Sequence, residues 1–138
     1  MKRRILVVED NLLNLELVTD LLEAKGFMVC HAVTGEEAFR AAFELSPDLV
    51  LMDLSLPGQD GLATTRALRA DPATRHLTII ALTAHAMKGD EAIALRAGCN
   101  GYLAKPIDTR TFAAKVAAFM AAADSRLTEP QAALQHAN

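Results

Sequence analysis

The sequence predicts an α/β domain in which a doubly wound, five-stranded parallel sheet carries helices on both faces. Three observations lead there. Ile5 to Val8, Leu49 to Met52 and Leu77 to Leu82 are apolar runs of strand length, as required of strands buried on both sides. Longer amphipathic stretches separate these runs, so strands and helices alternate along the chain. The 138 residues, 51% hydrophobic and 22% charged, suit one domain with one core and argue against wholesale disorder.

The elements follow in order. After the first strand, Leu12 to Lys25 places Leu15, Val18 and Leu22 at helical spacing and stops at Gly26, a residue suited to a left-handed helix terminus. Phe27 to Ala32 is a weaker strand, expected near a sheet edge. Thr34 stands three residues before Glu37, a capping-box pattern, and opens a second helix through Ala38, Phe39 and Ala42 that ends before Ser46-Pro47. The strand ending at Met52 leads to a helix over Leu62 to Ala70, closed by Asp71-Pro72. After the strand ending at Leu82, Ala86 to Ala97 forms a helix that ends at Gly98. Gly101 to Ala104 is the second weak strand. Asp108 is expected to cap a last helix with the apolar stripe Phe112, Val116, Phe119 and Met120. Residues 1–123 make the domain, and 124–138 turn polar, contain Pro130 and are expected to form a flexible tail.

Composition excludes several functions. A formal charge of -3 offers no excess of cations for a phosphate backbone, so no nucleic-acid partner is expected. The basic start Met1-Lys2-Arg3-Arg4 precedes only four apolar residues, too few for a secretory signal, whose apolar region needs about seven to fifteen. No apolar stretch approaches the roughly 18 residues of a membrane span, and a cytoplasmic protein with no membrane partner is expected. Cys30 and Cys99 form no CxxC pair and are read as two reduced, packed thiols.

The chemistry collects at strand ends. Glu9 and Asp10 follow the first strand, and Asp53 follows the third. In doubly wound sheets of order 2-1-3-4-5, strands one and three are neighbours at the switch point, where ligands bind outside the carboxyl ends. Three carboxylates would converge there, and two unit charges 4 Å apart repel by about 4 kcal/mol at an effective dielectric near 20. Such a cluster calls for a cation. Oxygen-only ligands suit Mg²⁺, whereas His31, His76, His85 and His136 show no spacing that would suit Zn²⁺. Thr83 follows the fourth strand and Lys105 the fifth, adding a hydroxyl and an ammonium at the same rim. With Mg²⁺ neutralising charge, one carboxylate can attack phosphorus, and the hydroxyl and ammonium can donate to the phosphoryl oxygens. Asp53, the isolated acid on the central strand, is the natural acceptor, with Glu9 and Asp10 holding metal.

VVEDN (Val7 to Asn11), LMDLSLPGQDG (Leu51 to Gly61), ALTAHAMKGD (Ala81 to Asp90) and GYLAKPI (Gly101 to Ile107) resemble the receiver domain of two-component response regulators over residues 3 to about 122. The intervals agree as well, 30 residues from Asp53 to Thr83 and 52 from Asp53 to Lys105. The resemblance implies the flavodoxin-like receiver fold with strand order 2-1-3-4-5. It also implies Asp53 as phosphoacceptor, Mg²⁺ bound by Asp10, Asp53 and the Ser55 backbone carbonyl, and Glu9 reaching the metal through water. Thr83 and Lys105 would contact the phosphoryl group, and Tyr102 would be the aromatic switch coupled to Thr83. Lys105-Pro106 would be a cis peptide, and Ser55 and His85 would tune the loss of the phosphoryl group.

Within the family, EDNxxN and TAHAMKGD look most like the single-domain regulators related to DivK, which act through protein partners. A receiver cut from a hybrid histidine kinase would look similar. The implied donor is a histidine kinase or histidine phosphotransferase, docking beside Leu12, Leu13 and Asn14. The implied output surface is helix four, strand five and helix five, with Ala86, Met87, Tyr102 and Ile107 offered to a downstream protein. The protein is expected to be a monomer or a weak, activation-dependent dimer, and a signalling domain rather than a turnover enzyme. Of the rivals, an aspartyl-phosphate phosphohydrolase would need an acid where Ser55 stands, and a flavodoxin-like electron carrier would not follow its first strand with Glu9-Asp10. A scaffold without phosphorylation is disfavoured by the full residue set.

Overall fold

The computed structural model describes residues 2–54, 61–84 and 89–127. Along them run β1 (Arg4–Val8), α1 (Leu12–Ala24), β2 (Met28–Ala32), α2 (Gly35–Leu45), β3 (Leu49–Asp53), α3 (Gly61–Ala70), β4 (Ile79–Thr83), α4 (Asp90–Ala97), β5 (Gly101–Ala104) and α5 (Phe112–Leu127). All strand pairs are parallel, in the order β2-β1-β3-β4-β5.

Alternate residues of a strand face opposite sides of the sheet, and here both sides are covered. Leu6, Val8, Val50, Met52, Ile79 and Ala81 face one layer with Ala38 and Ala42 of α2, Leu68 of α3 and Ala94 of α4. Ile5, Val7, Leu49, Leu51, Ile80 and Leu82 face the other with Leu15, Val18 and Leu22 of α1 and Phe112, Val116 and Met120 of α5. Double burial explains why β1, β3 and β4 read as apolar runs without alternation. The strands with weaker patterns, β2 and β5, lie at the two edges, where Met28 and Tyr102 are exposed.

Local signals set the helix ends. The Asn11 side chain accepts from the Asn14 N–H at 3.0 Å and starts α1; Lys25 closes it, followed by Gly26 at φ +101°. Thr34 caps α2, its Oγ1 accepting from the Glu37 N–H at 3.1 Å, while the Glu37 carboxylate reaches one residue further back than in a capping box, to the Val33 N–H at 2.8 Å. Asp108 leads the chain into α5: its side chain accepts from the Arg110 N–H at 3.0 Å and its carbonyl from the Phe112 N–H at 2.9 Å, with the regular helix running from Phe112. The last helix also runs on to Leu127, past the expected boundary at 123, where Asp124 pairs with Arg3 at 2.6 Å. The expected start of the fourth helix at Ala86 lies outside the described residues, as do Ser55, His85, Met87 and residues 128–138.

Cys30 and Cys99 are both free thiols. Among the described residues no helix is long and apolar enough to cross a membrane.

Gly61 fits α3 against the end of β3. A Cβ there would lie 2.3 Å from the Asp53 main-chain oxygen and 2.9 Å from Leu54 Cα, closer than any real contact. Gly61→Ala is therefore expected to destabilise the fold by about 1–3 kcal/mol in urea unfolding, the overpacking cost exceeding the roughly 1 kcal/mol of helix propensity gained. A variant as stable as the parent would contradict this packing.

Candidate functional site

The parallel pairing of β1 with β3 aligns Val8 with Met52, so the residues that follow, Glu9 and Asp53, emerge side by side. Glu9 is held by its N–H bond to Ala32 O at 3.0 Å, and Asp53 pairs in register with Leu82 of β4. Both side chains are almost wholly buried, Glu9 and Asp53 each 1% exposed, while Asp10 lies open at the rim. Ligand atoms of Glu9, Asp10 and Asp53 all lie within 4.8 Å of one another.

Lys105 reaches the cluster from the end of β5, where its N–H bonds to Thr83 O at 2.8 Å. Its Nζ lies 3.1 Å from Asp53 Oδ2, 3.2 Å from Glu9 Oε1 and 3.3 Å from Glu9 Oε2. Thr83, 2% exposed, closes β4 one residue beyond the partner of Asp53. The Lys105–Pro106 peptide is cis. One ammonium thus serves two buried carboxylates.

The pKa directions express that imbalance. Burial, then a hydrogen bond with Asp53 and its charge, push Glu9 up to about 7, against the opposing pull of Lys105 and Asn14. Burial alone would lower the Lys105 ammonium, but Asp53 and Glu9 outweigh it and hold its pKa above the ordinary value. The site gathers more negative charge than one ammonium offsets. Its donors are carboxylate oxygens at a rim open on the Asp10 side, which fits a hard divalent cation such as Mg²⁺ better than Zn²⁺.

Tyr102 stands on β5 opposite Ala81, about a third exposed, with its hydroxyl beside the Glu91 carboxylate of α4, whose hydrogen bond and charge push the phenol up. Ile107 packs against the α1 and α5 layer and lines a groove of about 460 Å³ with Asn14, Leu17, Ala84, Lys105 and Pro106. Leu12 and Leu13 are 71% and 78% exposed on the first turn of α1. The sequence reading missed Leu17, which lines the same groove; its spacing of four and five residues from Leu13 and Leu12 was the available signal.

A parallel 2-1-3-4-5 sheet with an acidic cluster and a lysine at its carboxyl end defines a class, and the family model for the response regulator receiver domain matches residues 5–117. The chain belongs to that family. It is similar to the polar-differentiation response regulator DivK of Brucella ovis, with 42% identity over 120 residues that cover 87% of this chain and 98% of the relative. Among solved structures it resembles the receiver domain of the sensor histidine kinase PA1611 from Pseudomonas aeruginosa, which has a magnesium ion coordinated in its active-site cleft. That match has 37% identity and a TM-score of 0.80, covering 88% of this chain and 99% of the other. A CheY-like receiver domain protein from Methanospirillum hungatei shares the fold at 24% identity and a TM-score of 0.82, covering 91% and 99%.

Proposed function

We propose that the protein is a phosphorylation-controlled switch in which Asp53 accepts a phosphoryl group from the histidine of a kinase or phosphotransferase. The supporting observation is the convergence of Glu9, Asp10 and Asp53 within 4.8 Å, with Lys105 against two of them. In the transfer, an Asp53 carboxylate oxygen bonds to phosphorus as the phosphorus–nitrogen bond of phosphohistidine breaks, and the departing imidazole takes a proton from water. Lys105 then turns from the carboxylates to a phosphoryl oxygen, and the Thr83 hydroxyl donates to another. Glu9, Asp10, Asp53 and the Ser55 carbonyl would hold Mg²⁺, which supplies charge neutralisation for the phosphoryl group. Ser55 and His85 are assigned to tuning its lifetime.

For the donor, Leu12 and Leu13, with Asn14 and Leu17 leading into the adjoining groove, offer an apolar docking edge beside Asp53. The output surface is α4, β5 and α5, with Tyr102 as its reporter and Ala86, Met87 and Ile107 assigned to it from the sequence. Residues 1–123, with α5 continuing to Leu127, form the working unit, and activation brings at most weak dimerisation. DivK-like similarity favours a downstream protein partner in a cytoplasmic setting. The likeness to the PA1611 receiver supports one other reading, that of a module serving a hybrid kinase.

Two measurements test the proposal. Incubation with acetyl phosphate and Mg²⁺ should load one phosphoryl group per chain; hydrolysis of many equivalents of a phosphomonoester by the purified protein would mark a phosphohydrolase instead. Saturating Mg²⁺ should stabilise the fold by about 2–3 kcal/mol, raising Tm by about 5–10 °C. A Tm indifferent to millimolar Mg²⁺ would contradict the clustered-carboxylate site.

A further inference from the structure

Arg69 lies in the last turn of α3, where a cation complements a helix end. Its guanidinium is also a junction. Nε donates to Gly98 O at 2.8 Å, Nη1 to Arg75 O at 2.7 Å and Leu77 O at 2.6 Å, and Nη2 to Asn100 Oδ1 at 2.8 Å. Four of the five donors in that rigid fork are used, and they join the ends of α3 and α4 to the approach to β4 and the start of β5. Asn100 continues the tie, since its Oδ1 also accepts from Ile79 N–H at 2.8 Å and its own N–H donates to Ile79 O at 2.7 Å. Gly98 is at φ +119°, and a Cβ there would fall 2.6 Å from Arg69 Cγ, so the glycine admits the arginine stem as well as ending the helix.

The other end of α4 is built differently. It starts at Gly89, at φ +83°, where among the described residues nothing lies within 4 Å of the place a Cβ would stand. Between the ends, Ala94 and Ala97 are buried while Ile93 and Leu95 are exposed, so the helix is seated by small side chains that resist tilting little. Glu91, near the loose end, is the residue beside Tyr102.

We propose that Arg69 is a positioning residue that fixes the pivot of α4. Resting on the reading of Asp53 as phosphoacceptor, the inference is that activation tilts α4 about Gly98 as a lever. The Gly89 end swings and carries Glu91 away from Tyr102, while Gly98 to Asn100 stay fixed. Over eight residues the lever arm is about 12 Å, long enough for a small rotation to separate the two side chains.

Tyr102 is the only tyrosine and the chain has no tryptophan, so intrinsic fluorescence reports that side chain alone. The experiment loads the full chain with acetyl phosphate and Mg²⁺ and records phosphoryl uptake, Tyr102 fluorescence and amide hydrogen exchange. In the parent, exchange at Asp90 to Ile93 should change by about tenfold or more on loading, and that at Cys99 and Asn100 by less than about twofold. Arg69→Gln should take up the same phosphoryl stoichiometry, expose Cys99 and Asn100 amides by about tenfold or more and lose over half of the fluorescence response. Arg69→Lys should not restore it, because one ammonium cannot span the four acceptors.

A full fluorescence response in Arg69→Gln, or equal disturbance of both helix ends in the parent, would overturn the lever while leaving the phosphoacceptor reading intact. No uptake by the parent would overturn that reading and the lever with it. If the variants fail to fold, the parent's exchange pattern decides the matter.

Discussion

Asp53→Asn is expected to abolish phosphoryl labelling from acetyl phosphate in Mg²⁺, a loss limited only by detection, and at the same time to stabilise the metal-free protein. The two effects have one cause. Asp53 and Glu9 are both buried and share the single ammonium of Lys105, so removing one carboxylate leaves a matched pair, Lys105 with Glu9 at 3.2 Å. Neutralising Asp53 forfeits its own contact with Lys105 at 3.1 Å but also removes one desolvated charge and the repulsion it exerts. A gain of about 1–2 kcal/mol in chelator at pH 8 is the expected balance, read by urea unfolding. Labelling that persists would place the acceptor elsewhere, and a less stable variant would deny the repulsion.

Lys105→Met should have the opposite sign and a larger size. It leaves Glu9 and Asp53 buried without a cation, and breaking a buried pair from one side costs about 3–5 kcal/mol. The loss should be greatest near pH 8 without metal and should shrink in acid. The sign follows from Glu9, whose pKa is about 7 in the fold against 4.5 in the unfolded chain. Between those values the native state holds a proton that the unfolded state has released, so Glu9's contribution to stability falls as pH rises through that window. Removing Lys105, which pulls Glu9 down, widens the window upward. Unfolding of the parent, Lys105→Met and Glu9→Gln from pH 5 to 8 checks this; a penalty independent of pH in Lys105→Met would show that Glu9 does not carry the strain.

Much of this was legible in advance, for reasons that differ by element. β1, β3 and β4 announced themselves because helices cover both faces of the sheet, and the acids after Val8 and Met52 were conspicuous because a buried strand end is a costly place for charge. Thr34 and Glu37 advertised their cap because both partners lie within four residues. The start of α5 was less legible, because Asp108 bonds both the Arg110 N–H and the Phe112 N–H, so turn and helix share one sequence pattern. Arg69 was invisible because Gly98 O and Asn100 Oδ1 lie about thirty residues away, and three of its four acceptors are main-chain oxygens that carry no sequence signature.

The carboxyl end of β3 is where the account is most exposed, and borohydride reduction examines it directly. An aspartyl phosphate is reduced to homoserine, so peptide mass spectrometry of the loaded, reduced protein locates the acceptor residue. The expected result is homoserine at position 53 alone, present with Mg²⁺ and absent when a chelator replaces it. Homoserine at Asp10 or any other acid, or its formation regardless of metal, would contradict the account.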